Sequence, residues 1–240
     1  MAKTTLKELA KIEQHVRQFC GPISFIKSLQ KAPGNVTNNG SFGLVDTGRK
    51  KLLVTCHHVW TGFQEERSRN PDLKICICLD RAFWFTPDKP VWGDENLDIV
   101  TFDIDPHLGG CSQRKFYPWH QDTVPVIEKG DVLFFIGFPG YLRRESGGCV
   151  TFGRSPFWMK VHSVDGQHVL CDISRLNVKT SPEQFGGISG CPCYLVREYK
   201  SIQLAGFATC IFFEQYLHFT LARRLDSGDI IDAMPQVELP

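Results

Sequence analysis

The sequence predicts an all-β protein of two antiparallel six-stranded β-barrels, with an amphipathic helix at its N-terminal end and a second helix at its C-terminal end. Three observations carry this. After residue 34 the chain breaks into short runs rich in Val, Ile, Phe and Thr, separated by Gly, Pro, Asp and Asn at strand-like intervals. The runs are too many for one sandwich, and closing them into two barrels removes exposed edges. The stretch 104–130, with Pro106, Gly109, Gly110, Pro118 and Pro125, reads as a connection between halves.

The elements follow in order. Thr5 and Glu8 form a capping box, and Leu6, Leu9, Ile12, Val16 and Phe19 recur at near-helical spacing until Cys20-Gly21-Pro22 stops the run, so a helix is expected over 5–20. It packs on the domain that follows or offers its charged outer face to a protein partner. Residues 1–34 are helix and lead-in, 35–105 a first barrel, 106–130 the connection and 131–222 a second barrel. Strands are expected at 41–46, 51–56, 73–79, 98–103, 131–137, 148–152, 157–164, 167–173, 191–197, 201–212 and 215–221. Leu225, Ile230 and Ile231 lie on one face of a closing helix in the 223–240 tail.

Composition bounds what such a protein does. In 240 residues, 27 Lys and Arg against 26 Asp and Glu leave a formal charge of +1, which argues against nucleic-acid or anionic-membrane binding. With 42% hydrophobic and 22% charged residues, disorder as the main state is excluded. Lys3, Lys7, Glu8, Lys11, Glu13 and Arg17 interrupt any apolar signal region, and no run approaches the ~20 apolar residues of a membrane span. A cytoplasmic protein with reduced thiols is therefore expected despite 10 cysteines.

Chemistry concentrates in three places. Gly186-Gly187-Ile188-Ser189-Gly190-Cys191-Pro192 is a glycine-rich turn holding one serine, where the N–H groups of Gly187 and Ser189 can face a developing oxyanion. A serine needs a base, and the apolar run Leu52–Cys56 leads into His57 and His58. Paired histidines also ligate metals, but spacing reveals no third ligand nearby. A base of this kind is oriented by a carboxylate, for which Asp98 at the mouth of the strand Ile99–Phe102 is the best placed, with Asp94, Asp103 and Asp105 also near. Each of these residues has a plain structural reading as a turn or surface group. Together they fall in the order His, Asp, Ser, each at a strand end. That order differs from the serine-first order of α/β-hydrolases, whose G-x-S-x-G elbow fails here at Cys191.

On these motifs the chain resembles the trypsin-like serine peptidases of the chymotrypsin fold, particularly bacterial and intracellular members. Gly40-Ser41-Phe42-Gly43 is similar to the family's first-strand glycine motif, and Thr55-Cys56-His57-His58-Val59 to its Thr-Ala-Ala-His pattern. Leu97-Asp98-Ile99-Val100, Gly137-Phe138-Pro139-Gly140 and Gly187-Ile188-Ser189-Gly190-Cys191-Pro192 look like its aspartate, Gly-Phe-Pro and Gly-Asp-Ser-Gly-Gly-Pro segments. The resemblance covers about residues 36–232. It implies His58 as base, Asp98 as its orienter, Ser189 as nucleophile, and an oxyanion hole from Gly187 and Ser189. It also implies a polypeptide substrate and no cofactor.

Departures are as informative. Ile188 stands where secreted members carry the aspartate that receives a new N-terminus, which argues against that activation route. Val59 and Phe185 replace two family cysteines, so those disulfides cannot form. The resemblance puts Glu183 at the floor of the primary pocket, suited to a basic side chain, although a solvated loop carboxylate reads the same in sequence. Ile211 stands at the pocket wall where the family keeps glycine. The strand Leu204–Cys210, with Thr209, is similar to the one that pairs with substrate backbone. Cys76-Ile77-Cys78 and Cys191-Pro192-Cys193 are spaced too tightly for usual zinc ligation, and no metal is expected. The sequence thus leads to a serine endopeptidase, with a catalytically silent peptide-binding or regulatory module of the same fold as the alternative.

Overall fold

Helix α1 (Leu6–Val16) buries Ile12 and Val16 while Lys7, Lys11 and Gln14 stay exposed, and a 3-10 turn over Arg17–Phe19 adds Phe19 to the buried stripe. The structure is a computed structural model. It describes residues 6–26, 36–78, 82–85, 87, 89–105, 115–146, 149–173, 186–197, 201–212, 216–223 and 225. The helix ends earlier than its periodicity suggests. Gly21 and Pro22, expected to stop it, instead lie inside a strand, β1 (Cys20–Ile26), absent from the expected set. Pro22 is tolerated there because pairing with the neighbouring β4 (Lys74–Cys78) begins only at Ile23.

β1 pairs on its other side with β2 (Val36–Asp46), which pairs with β3 (Lys51–Thr55). The chain then forms helix α2 (His57–Arg69), also unforeseen, before β4, β5 (Ala82–Phe85), β6 (Trp92–Asp94) and β7 (Ile99–Asp103). These strands form one sheet in the order β5-β4-β1-β2-β3-β7-β6, and β8 (Tyr117–Pro118) adds in parallel to β2. Among the described residues the path ends at β5 and β6, both very short, and no pairing joins those ends.

The second half is a closed barrel. β9 (Val132–Gly137), β12 (Ser155–Asp165), β13 (His168–Asp172), β14 (Pro192–Arg197), β15 (Ser201–Phe212) and β16 (Tyr216–Leu221) run in the cyclic order β12-β13-β16-β15-β14-β9. β10 (Arg143–Ser146) and β11 (Cys149–Phe152) form a separate hairpin. Each of the eleven expected strands has a counterpart. The expectation of two closed barrels is met by one closed barrel and one sheet left open among the described residues. The expected C-terminal helix lies outside those residues except for Arg223 and the buried Leu225.

Core packing follows this division. Phe25, Phe42, Trp60, Phe63 and Phe102 fill the first half, and Phe135, Phe157, Met159 and Phe219 fill the barrel. A third cluster joins Ile12, Val16 and Phe19 of the N-terminal segment to Val54, Phe134, Ile136, Tyr194 and Phe207, so α1 packs against both halves. Hydrogen bonds stitch the same seam. Ser41 N–H donates to Ser189 O at 2.8 Å, the Ser41 hydroxyl to Gly187 O at 2.6 Å and the Thr220 hydroxyl to Leu97 O at 2.8 Å. No helix among the described residues is long and apolar enough to cross a membrane.

Candidate active site

Strand β3 delivers the histidines, but as the first turn of α2 rather than as a strand end. Cys56, in extended conformation, is the N-cap and makes no side-chain cap bond. The orphaned N–H groups of the helix are met instead by the turn between β6 and β7. Asp98 O accepts from His57 N–H at 3.1 Å, and Asp98 Oδ1 accepts from His58 N–H at 2.9 Å. The other carboxylate oxygen, Oδ2, lies 2.7 Å from His58 Nδ1. One carboxylate therefore caps the helix and fixes the ring.

The pairing of Asp98 with His58 is specific in the geometry. His57 bonds its carbonyl to the Thr61 hydroxyl and does not meet the Asp98 carboxylate. Asp94 accepts from Asn96 and Leu97 within the turn, Asp103 accepts from Asp105 N–H, and Asp105 pairs with Lys51 at 3.1 Å. The Asp98 backbone is left-handed, φ +52°, which Asp and Asn tolerate better than most residues. The Asp98 side chain is 25% exposed and that of His58 51% exposed. With Nδ1 facing the carboxylate, Nε2 makes no hydrogen bond among the described residues, which leaves it to act as an acceptor.

Across the seam the serine sits on a turn that only glycine permits. Gly187 has φ +98°, and a Cβ there would overlap the Asn39 side chain and come to 2.6 Å of Phe138 O. Gly190 has φ +92°, and a Cβ would overlap Ser41 O and come to 2.6 Å of Thr55 Oγ1. The turn is pinned by Gly190 N–H to Ala208 O at 2.8 Å, Cys191 N–H to Ile188 O at 2.9 Å and the Ser41 bonds already given. Ile188 is buried in the barrel core, so its side chain anchors the turn by apolar packing. The N–H groups of Gly187 and Ser189 donate no hydrogen bond among the described residues. Both expected oxyanion donors are thus uncommitted.

Ser189 Oγ donates to Thr209 O at 3.1 Å, and among the described residues it makes no bond to His58. A chain of contacts nonetheless links the two. Cys56, two residues before His58, bonds through Sγ to Ala208 O at 3.1 Å, and Ala208 precedes the Thr209 that holds Ser189. Thr209 itself lies where the register of β15 and β16 shifts between Ala208 and Ile211, a bulge that re-aims its side chain. Its hydroxyl lies 2.5 Å from Nδ1 of His218, and the His218 ring stands 4.5 Å from that of His168. Burial lowers the His218 pKa, the neighbouring His168 adds to this, and Asp98 pulls weakly the other way.

Sequence reasoning missed His218, His168 and the tie through Cys56. Both histidines occupy ordinary strand positions, and only barrel closure sets them behind the serine turn. Glu183 lies outside the described residues, and for Ile211 only the backbone pairing with Leu217 is described. Burial pushes the Cys171 thiol up to about 12 and also raises those of Cys191 and Cys193 well above the usual thiol range, so these thiols rest protonated. The set as a whole contains what acyl transfer requires: a hydroxyl, an imidazole oriented by a carboxylate, and paired N–H donors beside the hydroxyl. No family model matches the chain, and no curated protein matches it.

Proposed function

We propose that the protein is a serine endopeptidase of the trypsin-like type that hydrolyses peptide bonds through an acyl-enzyme. The observation that carries this reading is the bidentate hold of Asp98 on His58, linked across the seam through Cys56 and Ala208 to a glycine turn whose Gly187 and Ser189 N–H groups donate no hydrogen bond among the described residues. In this reading His58 Nε2 takes the Ser189 proton as Oγ attacks the scissile carbonyl, and Asp98 stabilises the imidazolium. The Gly187 and Ser189 N–H groups hold the oxyanion, the protonated His58 then gives its proton to the leaving amine, and water releases the acyl group. For attack, Ser189 Oγ leaves Thr209 O and gives its proton to His58.

The first-half sheet is read as the second, more open barrel of this fold. In this reading β15 is the strand to which substrate backbone adds, with Thr209 beside the primary pocket. No cofactor enters the reaction, and a cytoplasmic setting suits the buried protonated thiols. Incubating the full chain with a proteome-derived peptide library and reading new termini by mass spectrometry tests the assignment. Cleavage by the wild type should fall by at least about 10³-fold in Ser189→Ala at unchanged thermal stability. Equal cleavage by that variant overturns the reading, and peptide binding without cleavage favours the silent module.

A further inference from the structure

Spacing in the sequence offered no third ligand beside the two histidines, but the fold sets two further ligands, Cys56 and Asp98, beside His58 alone. The Cys56 thiol, a ring nitrogen of His58 and a carboxylate oxygen of Asp98 all lie within 4.8 Å of one another. Cys56 reaches the cluster because it bridges β3 and α2, with its thiol buried against Ala208 O. We infer that Cys56, His58 and Asp98 form a binding site for a divalent transition ion of the zinc type, which silences the proposed peptidase while bound. The silencing rests on the peptidase reading, whereas the ion site does not.

The donor set selects the ion. One sulfur, one nitrogen and one oxygen suit zinc, while hard cations such as magnesium or calcium reject the thiolate. A thiolate and a carboxylate together match the double positive charge, and three protein ligands leave a fourth position for water. The positive end of α2 acts against a cation here, and the two anionic ligands outweigh it. Access is through an open pocket lined by His57, His58, Thr61, Glu65, Glu95 and Asp98, whose outer carboxylates attract cations.

Binding balances simply. The Cys56 S–H proton passes to solvent as the sulfur–metal bond forms, and neither sulfur nor metal changes oxidation state. His58 loses its basicity whichever nitrogen binds. If Nε2 ligates, its lone pair is used; if Nδ1 ligates, Nε2 carries the ring proton and cannot accept another.

The test titrates Co2+ alone into the full chain and follows the thiolate-to-cobalt charge-transfer band and the ligand-field bands. In parallel, the rate of fluorophosphonate labelling at Ser189 is measured with Zn2+ and then with chelator. The wild type should bind a single Co2+ with a charge-transfer band, and Zn2+ should abolish labelling reversibly. Cys56→Ser keeps a donor toward Ala208 O but loses the soft ligand, so the band should vanish and labelling should ignore Zn2+. His58→Gln, at a half-exposed site, serves as the second variant and should also weaken the band. An undiminished band in Cys56→Ser, or none in the wild type, overturns the ion site. A Cys56-dependent band in a folded chain never labelled under any condition upholds the ion site and overturns the peptidase reading.

Discussion

Asp98 carries two duties that different substitutions separate. Asparagine tolerates the same left-handed backbone and keeps an acceptor for His58 N–H, but replaces the charge facing Nδ1 with an amide. Asp98→Asn is therefore expected to leave thermal stability nearly unchanged and to lower peptide cleavage by about 10⁴-fold. Asp98→Ala also removes the helix cap and strains the backbone, so it should cost about 1–3 kcal/mol in urea denaturation as well. His218 gives a pH signature. Its native pKa lies below the ordinary 6.5, chiefly through burial, so the unfolded chain takes up a proton first as pH falls. Stability should thus be full above about 6.5, decline as pH drops below it, and level off beneath the native value. Chemical denaturation at about pH 5 and about pH 8 should show this decline in the wild type and a smaller one in His218→Gln. The thiols Cys171, Cys191 and Cys193 should resist iodoacetamide at neutral pH until the chain unfolds, as mapped by mass spectrometry.

At the level of elements, strand texture was legible because alternation and turn residues mark half-buried strands directly. β11, β12 and β15 appear within a few residues of their expected limits. What escaped has physical reasons. β1 holds Gly21 and Pro22, which signal a break, and is extended because β2 and, from Ile23, β4 pair with it. α2 buries only Val59, Trp60 and Phe63 before a charged stretch, too few apolar positions for a periodic signal. In the candidate site, the residues that the fold pairs, His58 and Asp98, were legible in the sequence, but their connections were not. The serine turn announced itself through Gly187 and Gly190, and His58 is chosen over His57 by a carboxylate some forty residues away. Two element-level expectations follow. Gly190→Ala should destabilise the fold by more than the about 1–3 kcal/mol of a strained backbone, because its Cβ also meets Ser41 O and Thr55. Ile12→Ala should cost about 2–5 kcal/mol in urea denaturation, since α1 closes the cluster between the halves.

The whole molecule is two β-rich halves whose seam is where the candidate chemistry lies. The first half presents His58 and Asp98, the barrel presents Ser189 and its glycine turn, and Ser41, Cys56 and Thr220 bond across the join. Neither half holds the set alone, so the geometry of the site depends on how the seam packs. Phe207 lies at that seam, fully buried, with its ring against the Gly43 position. The central claim is that this juxtaposition activates one serine among many. Fluorophosphonate labelling of the metal-free full chain, with the modified peptide mapped by mass spectrometry, tests it most directly. Modification confined to Ser189, lost in Ser189→Ala and slowed in Asp98→Asn, is the result predicted. A folded chain that stays unmodified at Ser189, or reacts there equally fast in Asp98→Asn, would contradict it.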